Sequence, residues 1–218
     1  MNTQEILKIT SEYIKKAMYD ESSGHDWWHI YRVHNLALKI NETENKNPFI
    51  ISMIALLHDI FDEKFSTGNT RDNLINLLKE LGIYDFLSKE DLENILHSVE
   101  NLGFKGGFNT VRISDEGKIV QDADRIDAIG AIGIARTFAY GGKKGLPIYN
   151  PDQGIVELKS QEEYRNLKTH TINHFYEKLL KLKDTLNTTE AKEIAEKRTA
   201  YMQEFLNEFY AEWNLTEN

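Results

Sequence analysis

Apolar residues recur at three- to five-residue steps along much of the chain, the spacing of one face of a helix. Ile6, Ile9, Tyr13, Ile14 and Met18 predict an amphipathic helix over about Thr3–Tyr19. The stretch Asp20–Asp26, with its Ser-Ser-Gly, breaks the pattern and reads as a loop. A second helix is expected over about Trp27–Glu44, with Ile30, Val33, Ala37 and Ile40 facing inward. Pro48 suits the first turn of a third helix, which runs through Ile51, Ile54, Ala55 and Leu57 to His58. Leucine and isoleucine spacing predicts two more, over Arg71–Leu81 and Ser88–Ser98. Asn101–Thr110 is glycine-rich and irregular. The chain then reads as helical from Ser114 to Tyr140, with Asp115 and Glu116 near the positive end. Gly130 and Gly133 weaken that helix, which is tolerable where another helix packs closely. Gly141–Gly154 is the longest stretch without a pattern, and such loops in compact domains are often functional. Terminal helices are expected over about Gln161–Leu186 and Thr188–Trp213. No strand signal, internal repeat or low-complexity tract stands out.

The expected fold is all-α, a single domain over residues 1–218 with a core at about 20–140 and C-terminal helices at about 160–215 packed on it. The composition, 40% hydrophobic and 11% aromatic in 218 residues with three prolines, suits a helical core of that size. A net charge of -9 argues against general nucleic-acid binding, which asks for a basic field. It leaves room for a small phosphorylated substrate, because a bound cation reverses the local sign. With no cysteine, disulfides, thiolate ligands and thiol nucleophiles are excluded. There is no run of about 18 apolar residues, so no membrane span is expected. Met1–Lys16 alternates polar and apolar residues, unlike a signal peptide, and the cytoplasm is the expected location. Phe175, Leu179 and Leu182, with Phe205, Phe209 and Trp213, pack internally or form a homodimer.

Four residues stand out as candidate ligands. His29 lies in His25-Asp26-Trp27-Trp28-His29; His58 and Asp59 end the apolar run Ile54-Ala55-Leu56-Leu57; Asp124 lies in Gln121-Asp122-Ala123-Asp124-Arg125-Ile126-Asp127. A carboxylate following a core helix needs a partner or a metal. Taken alone, a buried histidine is more often a hydrogen-bonded core residue than a ligand. Two imidazoles and two carboxylates form a mixed nitrogen and oxygen shell, suited to Mn, Co, Ni, Fe or Mg, with manganese favoured. Such a cation brings the pKa of water from about 15.7 towards roughly 7–9, and neutralises charge on phosphoryl oxygens. Neighbouring helical side chains diverge by about 100°, so His58 and Asp59 share one ion only on their bisector, with other helices supplying His29 and Asp124.

In this order the residues resemble the HD superfamily of phosphohydrolases: a His, then His-Asp after an aliphatic run, then Asp-Ala-Asp-Arg-Ile-Asp. The wider segments His25–His29, His58–Lys64 and Asp122–Phe138 resemble the YpgQ/YedJ group of small bacterial HD hydrolases, and the likeness covers most of the chain from Tyr19 onward. The resemblance implies an HD-domain helical bundle binding one divalent metal through His29, His58, Asp59 and Asp124. It further implies hydrolysis of nucleoside triphosphates, particularly deoxynucleotides, to a monophosphate and pyrophosphate. Other readings are a 5'-nucleotidase, an alarmone hydrolase, a cyclic-nucleotide phosphodiesterase, or a non-catalytic nucleotide-responsive helical module.

Asp62 and Glu63 stand four residues after His58 and Asp59, on the same faces if the helix continues. In HD enzymes an acidic residue there assists the attacking water, with Asp62 the first choice here; a solvated helix end is the plainer reading. His25 is a candidate substrate contact or a capping residue. Lys64, Lys105, Lys143 and Lys144 are candidate phosphate contacts, the last three in glycine-rich loops. His97 is a further candidate substrate contact, and it occupies the place where some HD proteins gain a second metal. Those relatives need two further histidines, and only His97 lies between His58 and Asp124, which favours a single ion. Asp122 and Asp127 are candidates to hold ligand histidines by hydrogen bonds, with Arg125 or Arg136 as other partners for Asp127. His170 and His174 read as incidental.

Overall fold

Every described α-helix of the N-terminal half opens on a residue whose side chain accepts a hydrogen bond from the first turn, which satisfies amides that have no partner within the helix. In the computed structural model, which describes residues 1–19, 24–61, 69–155, 160, 162–163 and 169–216, Asn2 and Glu5 form a reciprocal capping box on α1 (Thr3–Ala17). Asp26 caps α2 (Trp27–Glu44), and Asn47 followed by Pro48 opens α3 (Pro48–Leu57). Asn69 caps α4 (Thr70–Glu80), Ser88 caps α5 (Lys89–Asn101) and Ser114 caps α6 (Asp115–Asp127). All strongly periodic segments of this half became helices close to the expected bounds. Among the described residues the regular structure is entirely helical.

The core is organised around α3, in which every residue from Ile50 to Leu57 is buried. It packs against α1, α2, α5 and α6, so an element with almost no polar side chain is surrounded on all sides. Helices α2 and α6 also pack on one another.

Two helices expected to be continuous are not. The Ser114–Tyr140 helix is broken between α6 and α7 (Gly130–Lys143). Ile129 is extended and Gly130 takes φ +78°, a left-handed conformation that glycine adopts without strain. A Cβ on Gly133 would lie 2.3 Å from the Ala128 carbonyl oxygen, so the lack of a side chain there lets α7 close onto the end of α6. Arg198 donates to the Ile126 carbonyl at 2.7 Å, a second donor beside the Ile129 amide at 3.2 Å, and so ties α9 to the break.

The Gln161–Leu186 helix is also not formed as one piece. Residues 161 and 164–168 lie outside those described; beyond them are a five-residue helix, α8 (Asn173–Glu177), and a 3-10 segment, Leu179–Thr185, joined through Lys178 with φ -133°. Leucine spacing there reflects burial of Leu179 and Leu182 by a tighter winding. The long final helix, α9 (Thr189–Asn214), packs on α7, α6 and the 3-10 segment, with Phe205 stacked on Phe175 at 5.8 Å. The glycine-rich stretch after Tyr140 is more ordered than its composition suggests. Residues 141–143 complete α7, and Pro147 and Ile148 accept backbone hydrogen bonds from Thr171 and Ile172. No helix among the described residues is long and apolar enough to cross a membrane.

Candidate metal centre

The caps and the buried rod place four candidate ligands at one point. Asp26 accepts from the His29 amide at 2.9 Å and so sets where α2 begins, turning His29 into the interior, where it is fully buried. His58 is the C-cap of α3 and Asp59 follows it, both buried at the end of the apolar rod. Asp124 arrives from α6 with its side chain 28% exposed.

His29 Nε2 lies 3.1 Å from His58 Nε2, 3.3 Å from Asp59 Oδ2 and 3.4 Å from Asp124 Oδ1. His58 Nε2 lies 3.6 Å from Asp59 Oδ1 and 4.0 Å from Asp124 Oδ1. The far nitrogen of each ring settles its tautomer. His58 Nδ1 donates to the Ala55 carbonyl at 2.8 Å, and His29 Nδ1 donates to Asp127 Oδ2 at 2.7 Å. Both acceptors lack a proton to give, so each neutral ring keeps a lone pair on Nε2. Those two lone pairs face each other, an arrangement that is repulsive unless a positive charge lies between them. Donors about 2.1 Å from one cation and at right angles stand about 3 Å apart, which matches the shorter of these separations. The residues fit a divalent cation.

A proton can take that place between the rings. Burial pulls the His29 imidazole down, as does Arg136, but hydrogen bonds with Asp124, Asp127 and Asp59 prevail and hold it up at about 10. Burial pushes Asp59 up, yet His58 and His25 hold it well below the usual carboxylate range. Asp124 is likewise raised by burial and more strongly lowered by His29 and His58. The cluster therefore carries negative charge and demands a cation, whether proton or metal.

Around these four, Asp127 takes the role expected of an orienting carboxylate and Asp122 does not. Asp127 grips His29 and accepts from Arg32 and Arg136. Asp122 points the other way, accepting from the amides of Asn187 and Thr188, from Asn187 Nδ2 and from the Thr188 hydroxyl, which ties α6 to the start of α9. Sequence reasoning missed Arg32, although it stands three residues after His29 on the same face of α2.

His25 lies nearer the centre than a substrate contact requires. Its Nδ1 is 2.7 Å from Asp59 Oδ2, and His25, His29 and Asp59 form a second set of donors close enough to hold an ion. Of the other candidates, His97 donates to the Arg112 carbonyl at 2.9 Å and Lys105 Nζ to the Glu100 carbonyl at 3.3 Å. Lys143 ends α7, and Lys144 lies over the Tyr140 ring. Asp62, Glu63 and Lys64 lie outside the described residues. Trp27 is buried, and Trp28 stands 57% exposed against Tyr31.

Residues 27–129 match the HD domain family model. The chain is 37% identical to YpgQ of Bacillus subtilis over 198 residues, covering 90% of this chain and 88% of that protein. The crystal structure of YpgQ in complex with ADP superposes with a TM-score of 0.74 at 33% identity, covering 97% of each chain. A Lactobacillus plantarum protein gives a TM-score of 0.87 at 37% identity, over 99% of this chain and 100% of that one. An HD-superfamily hydrolase from Bacillus thuringiensis gives 0.73 at 43% identity, over 98% and 99%. Capped helices, a buried rod ending in His-Asp, and these likenesses lead to one assignment: the chain belongs to the HD-domain family.

Proposed function

We propose that this protein is a metal-dependent phosphohydrolase that cleaves nucleoside triphosphates to a monophosphate and pyrophosphate, with one divalent cation, manganese favoured, held by His29, His58, Asp59 and Asp124. The observation that carries the reading is the pair of Nε2 atoms 3.1 Å apart, flanked by the carboxylates of Asp59 and Asp124, with both Nδ1 protons committed to other acceptors. A bound cation supplies an activated water near neutral pH and offsets charge on the phosphoryl oxygens. The chain's own part is positional. Asp127 and the Ala55 carbonyl keep both rings in one tautomer, and the partly exposed Asp124 leaves an approach from solvent. A nucleotide substrate is supported by ADP bound to YpgQ. Asp62 or Glu63 as the group that orients the attacking water, and Lys64, Lys105, Lys143 and Lys144 as phosphate contacts, belong to the same proposal.

The test is a panel of ribo- and deoxynucleoside triphosphates with Mn²⁺, Co²⁺, Ni²⁺ and Mg²⁺, comparing the wild type with Asp59→Ala. Pyrophosphate release by the wild type, abolished in the variant, is expected. Orthophosphate without pyrophosphate would replace the triphosphate reading with a nucleotidase, and full activity in Asp59→Ala would remove the assigned centre.

A further inference from the structure

Asp127 Oδ2 receives three donors: His29 Nδ1 at 2.7 Å, Arg136 Nη1 at 2.9 Å and Arg32 Nη2 at 3.0 Å. The other carboxylate oxygen takes Arg32 Nε at 2.7 Å. The two arginines are not equivalent. Arg32 comes from α2, the helix of His29, and directs both of these donors at Asp127. Arg136 comes from α7 and splits its fork, with Nη1 on Asp127 and Nε on the Gly24 carbonyl at 2.7 Å. Gly24 immediately precedes His25, which meets Asp59. Gly24 has φ +87°, and a Cβ there would stand 3.2 Å from Arg136 Cγ and 3.3 Å from Nε. The glycine thus serves both the turn and the passage of the arginine side chain, which is 15% exposed.

We propose that Arg136 is a positioning residue that sets His25 and His29 jointly, holding His29 through Asp127 and His25 through the Gly24 carbonyl. This rests on the reading of the centre as a metal site. One planar guanidinium spans both acceptors, so the 24–26 turn and the end of α6 keep a fixed separation. A lysine offers a single point of charge and cannot span them in the same geometry. Loss of the bridge leaves Asp127 held by Arg32 alone, so that it and the His29 ring it grips shift relative to the 24–26 turn, and His25 loses its place against Asp59, in a protein that is still folded.

The experiment uses Co²⁺ absorption and calorimetric Mn²⁺ titration on the wild type, Arg136→Lys, Arg32→Lys and Gly24→Ala, with far-ultraviolet circular dichroism to check folding. Arg136→Lys is expected to bind Mn²⁺ roughly 10–100-fold more weakly, with an altered Co²⁺ visible band and a fall in kcat larger than any change in KM. Gly24→Ala, which presses on the same side chain from the other end, is expected to alter the band in the same sense. Arg32→Lys, which keeps the bridge, is expected to change it less. A folded Arg136→Lys with the wild-type band and affinity overturns the proposal, whatever its thermal stability. Equal changes in both arginine variants with none in Gly24→Ala also overturn it, because charge on Asp127 alone would then matter. If Arg136→Lys does not fold, an unchanged band in Gly24→Ala is decisive against the bridge. A wild type that binds neither ion removes the metal reading and the proposal with it, a failure distinguishable because it appears before any substitution.

Discussion

His29 and Asp127 face each other at 2.7 Å, a buried imidazole donating to a carboxylate that is 3% exposed and already shared by two arginines. Asp127→Ala strands two guanidiniums and a ring N–H together. Removing one side of a buried charged pair costs about 3–5 kcal/mol. Loss of an orienting carboxylate weakens metal binding roughly 10–100-fold. Urea unfolding and Mn²⁺ titration are expected to show both effects at once.

Asp122 provides the contrast five residues earlier. Its carboxylate accepts from two amides, a hydroxyl and a side-chain amide at the start of α9, and makes none of its described contacts with the histidines. Asp122→Ala is expected to destabilise by about 2–3 kcal/mol, since buried donors are left without an acceptor. Mn²⁺ affinity in the folded variant is expected to stay at the wild-type value. A parallel fall in affinity would show that the α6–α9 junction governs the centre.

These two aspartates mark how far the sequence could be read. The ordered His, His-Asp and Asp, and the helical spacing around them, pointed to the candidate ligands before any geometry. Asp122 and Asp127 were indistinguishable there, because each flanks Asp124 and nothing in a one-dimensional pattern says which face of α6 meets α2 and which meets the 186–188 turn. Arg32 was hidden for the same reason: an arginine on a polar helix face is ordinary until a carboxylate from a distant segment arrives beside it. The break at Gly130 was legible as weakness but not as a turn, since helix propensity ranks residues without stating where a neighbouring side chain such as Arg198 will add a hydrogen bond to a carbonyl. The Gln161–Leu186 expectation failed where leucine spacing served a 3-10 winding.

Metal addition is expected to stabilise the wild type measurably. A cation binding only the folded chain at about 100 times its dissociation constant adds about 2.7 kcal/mol. For a chain of this length that raises Tm by roughly 5–10 °C. Chelation by EDTA reverses the shift. Asp59→Ala is expected to show no shift with Mn²⁺, as well as no turnover.

The turn between α6 and α7 carries a prediction free of any metal. Gly130→Ala forces an L side chain into φ +78° with its Cβ 3.0 Å from Arg198 Cγ, and is expected to cost about 1–2 kcal/mol. Gly133→Ala places a Cβ 2.3 Å from a backbone oxygen that has no room to retreat, and is expected to cost more, about 1–3 kcal/mol or above. Urea unfolding of both variants at one pH gives the order; the reverse order would mean that the turn relaxes around Gly133.

Beyond its first two residues helix α3 has no solvent face, with every side chain from Ile50 to Leu57 enclosed and His58 and Asp59 attached to its end. It works as a piston rod in a filled cylinder. A methyl group added or removed anywhere along it moves the tip, because no side of the rod can bulge outward to absorb the change. Tolerance maps of this protein are therefore expected to show severe functional loss at Ile51, Ile54 and Leu57, far from any contact with substrate, while the outer face of α2 accepts substitution freely. In such a map the lethal stripe would trace the shaft as clearly as the candidate ligands it carries.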